Sequence, residues 1–240
     1  MGQGFFDPQW LRTGVFNLSN DRRPTRTEQV KLALNELEGR PFQLIKLKSH
    51  GRTSAYYLRE GDLGEVEAQY YMSLDPMLHT LALGLSIEKG EESPGANPDR
   101  RMDRLSWDWP KLARMRTVEL RNRVAAVSSD LGRPLAVIID THTEGSGDEH
   151  DTVPFVFIGE TVLKRTALVS IDALVALLRK IDRQKSLWAD VWIVAEFTEL
   201  EVATLSPEDV ARILFAFRPM RDALRATSQI LLTTRKGKPR

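Results

Sequence analysis

Two consecutive segments in the first half of the chain alternate between apolar and polar side chains, and this alternation constrains the fold more than any other feature. In Glu65–Leu74 every even-numbered residue is apolar, and in His79–Glu88 the odd-numbered residues from Leu81 to Ile87 repeat the pattern. A period of two places the apolar side chains on one face of a strand, whereas a helix needs a period near 3.6. Asp75 and Pro76 lie between the segments and are typical of a turn. The pattern therefore predicts two antiparallel strands.

Two shorter segments before this pair carry a similar signal. In Phe42–Lys48, Ile45 and Leu47 alternate with Lys46 and Lys48, and Thr53–Arg59 is rich in residues that favour strands. Short turns between such strands are typical of antiparallel meanders, so we predict a four-stranded meander from Phe42 to Glu88. A helix should precede it, from a cap at Thr27 to Gly39, because its apolar residues recur at spacings of three and four.

The second half of the chain predicts a mixture of helices and strands. The predicted helices are Pro110–Asp130, a helix capped by Ser170, and a helix from Ser206 toward Ala226 that Pro219 kinks; the predicted strands are Leu135–Asp140, Val153–Ile158 and Trp188–Phe197. We therefore expect the α+β class, with an N-terminal antiparallel β-meander and helix followed by an α/β C-terminal half. The chain would form a single compact body or two small subdomains.

Lys89–Pro98 is rich in glycine, proline and glutamate, and the loop near Glu91–Arg101 is the candidate domain boundary. It would separate a β-rich N-terminal part, residues 1–92, from an α/β C-terminal part, residues 101–232. The basic residues 233–240 are expected to form a disordered tail, since chain ends without apolar anchors are poorly ordered.

Cysteine is absent, which excludes disulfides, thiolate metal sites and a cysteine nucleophile. A chain of 240 residues with 42% hydrophobic residues can bury a core without such links. No uncharged apolar stretch reaches about 18 residues, and the first residues lack the basic-then-apolar order of a secretory signal. We therefore expect a cytoplasmic protein with no membrane partner.

The commonest catalytic and phosphate-binding motifs do not occur in the sequence. There is no glycine-rich dinucleotide or P-loop motif, no Gly-x-Ser-x-Gly and no His-Glu-x-x-His. Their absence excludes the best-known nucleotide-binding and hydrolase signatures without excluding enzymes in general, so whether the protein is an enzyme stays open.

An acidic segment with two histidines follows the predicted strand Leu135–Asp140. Asp140, His142, Glu144 and His150 are its candidate metal ligands, because carboxylates and imidazoles bind divalent metals and strand ends often present site residues. The spacing matches no ligand template. The alternative interpretation is a solvated acidic loop.

A second candidate site is of the restriction-nuclease type. In such nucleases an acidic residue on one strand and a Glu-x-Lys on the next hold Mg²⁺ and direct the attacking water. Asp75, Glu88 and Lys89 lie on a suitable predicted hairpin. Glu88 and Lys89 are adjacent, however, so a regular strand points them to opposite faces. The alternative is a solvent-facing strand end.

The positive charge is concentrated in one part of the chain although the net charge is only +1. Between residues 100 and 123 the basic residues are Arg100, Arg101, Arg104, Lys111, Arg114, Arg116, Arg121 and Arg123, against Asp103, Asp108 and Glu119. Arg114 and Arg121 are seven apart, so one continuous helix would place them on the same face. Lys46, Lys48 and Arg52 of the first hairpin are the other candidates for phosphate contacts. The alternative is a solvated helix face.

The second face of the third and fourth predicted strands carries mostly small and hydroxyl side chains. Its residues are Gln69, Tyr71, Ser73, Thr80, Ala82, Gly84 and Ser86. Such a face either forms a flat surface that a ligand approaches closely or lies under a helix.

Three functions remain open. The order of elements loosely resembles that of prokaryotic restriction and defence proteins that pair a small sheet with DNA, without the likeness needed to transfer residues. That resemblance implies a nucleic-acid-binding protein of a defence or regulatory system, which the polarised charge also favours. The alternatives are a metal-dependent nuclease or other hydrolase with a divalent metal as cofactor, and a protein-interaction subunit of a larger complex.

Overall fold

The structure is a computed structural model that describes residues 7–18, 21–49, 52–60, 68–75, 78–89, 108–143, 151–158, 161–164, 167–184 and 187–225. Its helices in these ranges are α1 Pro8–Thr13, α2 Arg26–Glu38, α3 Trp109–Arg114, α4 Thr117–Leu131, α5 Ile171–Arg183, α6 Glu199–Val202, α7 Pro207–Phe215 and α8 Arg218–Arg225. Its strands are β1 Gln43–Ser49, β2 Arg52–Arg59, β3 Gln69–Asp75, β4 Thr80–Lys89, β5 Leu135–Thr143, β6 Asp151–Ile158, β7 Thr161–Lys164, β8 Ala167–Ser170 and β9 Leu187–Thr198. The predicted tail 233–240 lies outside the described residues.

The strands follow the order β1-β2-β3-β4-β9-β5-β6-β7-β8. β1 pairs antiparallel with β2, and β2 pairs antiparallel with β3, so Leu58 lies opposite Leu44 on one side and Tyr70 on the other. β5 to β8 form a second antiparallel series in chain order. The predicted α+β class is confirmed.

Two compact units are distinguished along the chain, and each is assembled from separate segments. The first comprises Met1–Leu63, Gln69–Leu85 and Val194–Phe217. The second comprises Gly64–Ala68, Ser86–Ile193 and Arg218–Arg240. β4 and β9 contribute residues to both units, so the division does not coincide with element ends.

In the first unit α2 packs against α7 and buries Val30 and Leu34. The helix begins at Thr25, where Thr25 and Glu28 form a reciprocal capping box, and Gly39 ends it with φ 68°. The expected cap at Thr27 is therefore wrong by two residues. Thr27 is instead buried, while Thr25 has the extended backbone that a cap requires.

In the second unit the single helix predicted over Pro110–Asp130 is wrong, because the chain forms α3 and α4 with a break between them. Met115 has an extended backbone, φ −58° and ψ 138°, and its side chain is buried. At the break the chain turns so that the Met115 side chain packs in the core. The helical spacing of apolar residues in the sequence gives no sign of this turn. α4 ends at Gly132, which has φ 64°.

Further differences arise where elements are short. The helix expected from Ser206 to Ala226 divides into α7 and α8, and Pro219 lies in the first turn of α8, where a missing backbone N–H is tolerated. Four elements have six or fewer residues, too few for a clear period: α1, α6, β7 and β8.

None of the helices in the described ranges is long and apolar enough to cross a membrane.

Candidate functional site

Two exposed arginines flank the break between α3 and α4, in the second unit. α3 is held in place by its buried Trp109, whose Nε1 donates a hydrogen bond to Asp182 Oδ1 of α5 at 3.1 Å. Met115 points into the core at the break. Because Met115 is buried, its neighbours Arg114 and Arg116 are directed to solvent.

These two arginines lie beside a helix start that has no side-chain cap. Arg116 occupies the N-cap position of α4 without capping the first turn. The first N–H groups of a helix have no partner within the helix, and the helix dipole makes this end positive. The nearby carboxylate of Glu119 is engaged by Arg123 at 2.8 Å. Within the described part of the chain, no carboxylate forms an ion pair with Arg114 or Arg116.

The other basic residues of this region are held by the fold. Lys111 Nζ donates to the carbonyl of Ala223 at 2.7 Å, and burial lowers the pKa of Lys111, with Asp108 acting in the opposite direction. Arg121 is half-buried, and its Nε is enclosed by protein without a hydrogen-bond partner in the described ranges. The prediction that Arg114 and Arg121 share one helix face is wrong, because Arg114 belongs to α3 and Arg121 to α4. Arg116, which the sequence analysis did not select, replaces Arg121 beside Arg114.

The first hairpin supplies two exposed basic residues in the first unit. Lys46 of β1 and Arg52 of β2 are exposed, and the side chain of Lys48 lies outside what the structure describes. The register shifts between Leu47 and Lys48, and the Leu47 side chain is 41% exposed. The expected inward orientation of Leu47 is therefore not observed, since β1 is terminal in the strand order and the shift interrupts its alternation.

Most of the flat face expected on β3 and β4 is covered. Gln69, Tyr71, Ala82 and Ser86 of that face are buried, and Ser73 and Thr80 are half-buried. This outcome corresponds to the alternative in which other elements pack on the sheet.

Two residues of the nuclease candidate have structural contacts. Lys89 is 7% exposed, and its Nζ donates to the backbone carbonyls of Gln184 and Leu187, between α5 and β9. Asp75 Oδ1 accepts from the backbone N–H of Leu78 at 3.0 Å in the turn after β3. The Lys89 contacts hold the connection between α5 and β9, and the Asp75 contact holds the turn after β3. Asp75 belongs to the first unit and Lys89 to the second.

Glu88 and Asp140, which the sequence analysis assigned to separate candidate sites, act on the same buried carboxyl group. That group is Asp190 of β9, whose neighbours in the strand order are β4 and β5. Burial raises the pKa of Asp190 well above its ordinary value, hydrogen bonds from Ser86 and Trp192 lower it, and the Glu88 and Asp140 carboxylates raise it. Asp190 was not identified from sequence, although an acidic residue inside the apolar segment Trp188–Phe197 was an available signal.

The metal candidates remain predictions. Glu144 and His150 lie outside the described residues, as does the side chain of His142, and Asp140 is buried. Across the ranges that the structure does describe, no group of three or more acidic or histidine side chains is arranged to hold a metal ion.

Comparison with protein-family models, curated proteins and solved structures gives no match to this chain, so only its own residues bear on its function.

Proposed function

We propose that this protein binds nucleic acid without intrinsic catalysis, through Arg114, Arg116 and the start of α4. The observation that carries the proposal is the pair of exposed arginines, free of ion pairs in the described part of the chain, beside an uncapped helix N-terminus. We call Arg114, Arg116 and the first turn of α4, Thr117–Glu119, the arginine surface.

The chemistry of this surface suits phosphate. Guanidinium groups present several N–H donors in a planar fork that matches phosphate oxygens. Unpaired backbone N–H groups at a helix start add donors, and the helix dipole favours an anion there. The surface contains no described aromatic side chain directed at solvent, so backbone phosphates are the expected contacts, and base sequence would contribute little to binding.

The first hairpin is a second proposed contact region. Lys46 and Arg52 are exposed there, and Lys48 was selected with them from sequence. Lysines on an edge strand also protect it from pairing with other strands. Because that protective role needs no ligand, the hairpin supports the proposal less strongly than the arginine surface does.

The test is a titration of labelled single- and double-stranded oligonucleotides at two salt concentrations, followed by fluorescence anisotropy. Wild-type binding should weaken steeply with salt, because bound phosphates release counterions. The double variant Arg114→Gln, Arg116→Gln should bind more weakly, with a salt slope reduced by about two, roughly one for each phosphate that the variant no longer binds.

The matched control is the double variant Arg179→Gln, Arg183→Gln. It removes the same charge from two exposed positions on α5, a different helix of the same unit. If both double variants weaken binding equally, the effect reflects net charge and not the arginine surface. Absence of binding by the wild type at low salt would reject the proposal and favour a protein-interaction subunit.

The sequence favours a metal-dependent hydrolase as the second candidate, through Asp75 and Glu88 or through Asp140, His142 and Glu144, although the described side chains form no group of three that could hold a metal ion. Incubation of DNA or RNA with Mg²⁺ or Mn²⁺ tests it. Cleavage by the wild type and its loss in Glu88→Gln or Asp140→Asn would replace the binding proposal with this one. A cleavage that survives both substitutions would come from other residues.

We also propose that the protein acts in the cytoplasm of a prokaryotic cell, in a defence or regulatory system; the absence of cysteine agrees with a reducing compartment.

A further inference from the structure

The outer edge of β1, in the first unit, has backbone groups available for pairing. β1 is terminal in the strand order, and β2 is its neighbour. In the part of the chain that the structure describes, residues 43–47 form no backbone hydrogen bonds besides those to β2. Successive residues of an antiparallel strand direct their N–H and C=O groups to opposite edges. Every second residue of β1 therefore offers a donor and an acceptor to another strand.

The side chains of β1 lack the cover that those of β2 have. Leu47 is 41% exposed, whereas Ala55, its partner on β2, is 1% exposed. Lys46 is exposed beside the buried Tyr56, and Ile45 is half-buried. A strand added at this edge would cover Ile45 and Leu47 on one face of the sheet and contact Lys46 on the other.

The charge at this edge restricts the kind of strand that fits. Lys46 of β1 and Arg52 of β2 are exposed, and no ion pair among the described residues involves either of them. A second copy of β1 would bring its own lysines to the interface, and lysines on an edge strand oppose such pairing. Carboxylates opposite Lys46 would form cross-strand pairs of opposite charge. The complementary occupant is therefore an acidic strand.

We propose that the outer edge of β1 binds an extended peptide of a partner protein, in which acidic residues alternate with apolar ones. The peptide adds a strand to the sheet, so that its apolar side chains cover Ile45 and Leu47 and its acidic side chains contact Lys46. Main-chain hydrogen bonds supply affinity in this mode of recognition, and alternate side chains supply specificity. The proposal does not depend on nucleic-acid binding, since β1 belongs to the first unit and the arginine surface to the second.

A register shift sets the length of the binding site. β1 pairs regularly with β2 from Gln43 to Leu47, and the register shifts between Leu47 and Lys48. Such a shift bends the strand and increases its twist, so regular pairing at the outer edge should end there. Residues 43–47 are therefore the pairing segment, and a peptide of about eight residues spans it with both ends free.

The test titrates the full chain with a labelled peptide of alternating valine and glutamate, followed by fluorescence anisotropy. The wild type should bind this peptide. A peptide of the same composition, with its valines and glutamates in two separate blocks, should bind about tenfold more weakly, because it cannot place apolar and acidic side chains on opposite faces. An alternating peptide that is N-methylated at every residue keeps the side chains without the N–H donors and should not bind. Equal binding of the three peptides would overturn the proposal, since charge alone would then explain it.

Two charge reversals in the first unit test the role of Lys46. Lys46→Glu should weaken binding of the alternating peptide about fivefold, because it replaces an attractive cross-strand pair with a repulsive one. Arg22→Glu makes the same change of charge at an exposed position outside β1 and β2 and should leave binding nearly unchanged. Equal effects of the two variants would contradict the proposal.

The double variant Arg114→Gln, Arg116→Gln separates the edge of β1 from the arginine surface. It should bind the alternating peptide as the wild type does, whether or not the wild type binds oligonucleotides. Loss of peptide binding in this variant would place the peptide on the arginine surface and overturn the proposal.

Hydrogen exchange locates the bound peptide in the wild type, so this measurement does not depend on any variant. Saturating peptide should slow the exchange of those β1 amides that point away from β2. Unchanged exchange in β1 would show that the peptide binds elsewhere. Two other results would also reject an acidic partner strand. Displacement of the peptide from the Arg114→Gln, Arg116→Gln variant by an oligonucleotide would assign the edge to phosphate, and a dimer that Leu47→Glu disrupts would assign it to a second copy.

Discussion

At the scale of single residues, Glu38 shows how a charged side chain is accommodated inside the first unit. It is the last residue of α2, and its side chain is completely buried. Its carboxylate accepts hydrogen bonds from Tyr70 Oη and from Arg40, the latter at 2.7 Å. Arg40 also pairs with Glu60 at 3.1 Å. A buried carboxylate is tolerated only when its oxygens are hydrogen-bonded, so these residues should act as a network.

We predict that Tyr70→Phe lowers the free energy of unfolding by about 1–2 kcal/mol, because it removes one hydrogen bond to a charged group. Glu38→Gln should lower it by about 3 kcal/mol, because Arg40 keeps its charge in a partly buried position without its closest carboxylate. The double variant should be less destabilised than the sum of the two. Urea unfolding measures all three, and additive effects would show that the two hydrogen bonds are independent.

At the scale of elements, some helices begin with a side-chain cap and one does not. This difference affects both the stability of the helix and its ability to bind an anion. α2 begins with the Thr25–Glu28 capping box, and α7 begins with Ser206 and Asp209 in the same arrangement. α4 is longer than α2 but begins at Arg116 without a side-chain cap. A cap satisfies the N–H groups that a bound phosphate would otherwise use. The uncapped start of α4 is therefore less stable and better suited to an anion.

Removal of the cap of α2 should destabilise the first unit. Thr25→Ala is expected to lower the free energy of unfolding by about 1 kcal/mol at neutral pH. Hydrogen bonds from the Thr25 backbone and side chain lower the pKa of Glu28, so the cap contributes above the ordinary Glu pKa and is lost as the pH falls through the folded pKa. The difference between variant and wild type should shrink in acid. If Thr25→Ala destabilises the protein as much in acid as at neutral pH, the cap does not depend on the charge of Glu28.

Addition of a cap to α4 should have opposite effects on stability and on binding. Arg116 has φ −71° and ψ 145°, the extended backbone of an N-cap residue. Arg116→Ser should therefore stabilise the protein by about 0.5–1 kcal/mol and weaken oligonucleotide binding, because it removes a phosphate-binding side chain and occupies the helix start. Thermal melting and anisotropy titration measure the two effects. Arg114→Ser is the matched control, since it removes the same charge outside a cap position and should weaken binding without stabilising the protein.

At the scale of the whole molecule, the first unit takes its elements from both ends of the chain. α2 packs against α7, which lies within Val194–Phe217, more than one hundred residues after β4. Residues 1–92 contain α2 and the meander but not α7. α2 would keep its contacts with β1 but lose α7, its largest packing partner, and a marginally stable fold does not tolerate the loss of such a surface.

We therefore predict that residues 1–92 expressed alone do not fold cooperatively, whereas the full chain does. Circular dichroism during thermal and urea unfolding is the measurement. A cooperative transition of the fragment would show that the N-terminal part is an independent domain, which is one of the two arrangements that the sequence leaves open. Addition of a peptide spanning residues 194–217 should restore structure in the fragment if α7 is the missing element.

The sequence alone determined the features that depend on residues close together in the chain. The alternation in His79–Glu88 predicted β4, Ser206 and Pro207 predicted the start of α7, and Gly39 predicted the end of α2. In each case the physical cause is local, because a strand period, a cap or a left-handed glycine is set by neighbours within a few positions. These features were sufficient to predict the α+β class.

Only the tertiary structure decided which distant residues meet. Ser86 and Asp190 are 104 positions apart, and nothing in the local sequence of either indicates the other. The break at Met115 likewise depends on the core that receives its side chain, so the helix period continued across a point where the chain turns. Strand pairing between segments far apart in sequence is selected by packing and hydrogen bonding over the whole sheet, and a local pattern does not encode it. For that reason the sequence predicted elements and exposed charges, whereas the Ser86–Asp190 hydrogen bond and the arginine surface required the folded structure.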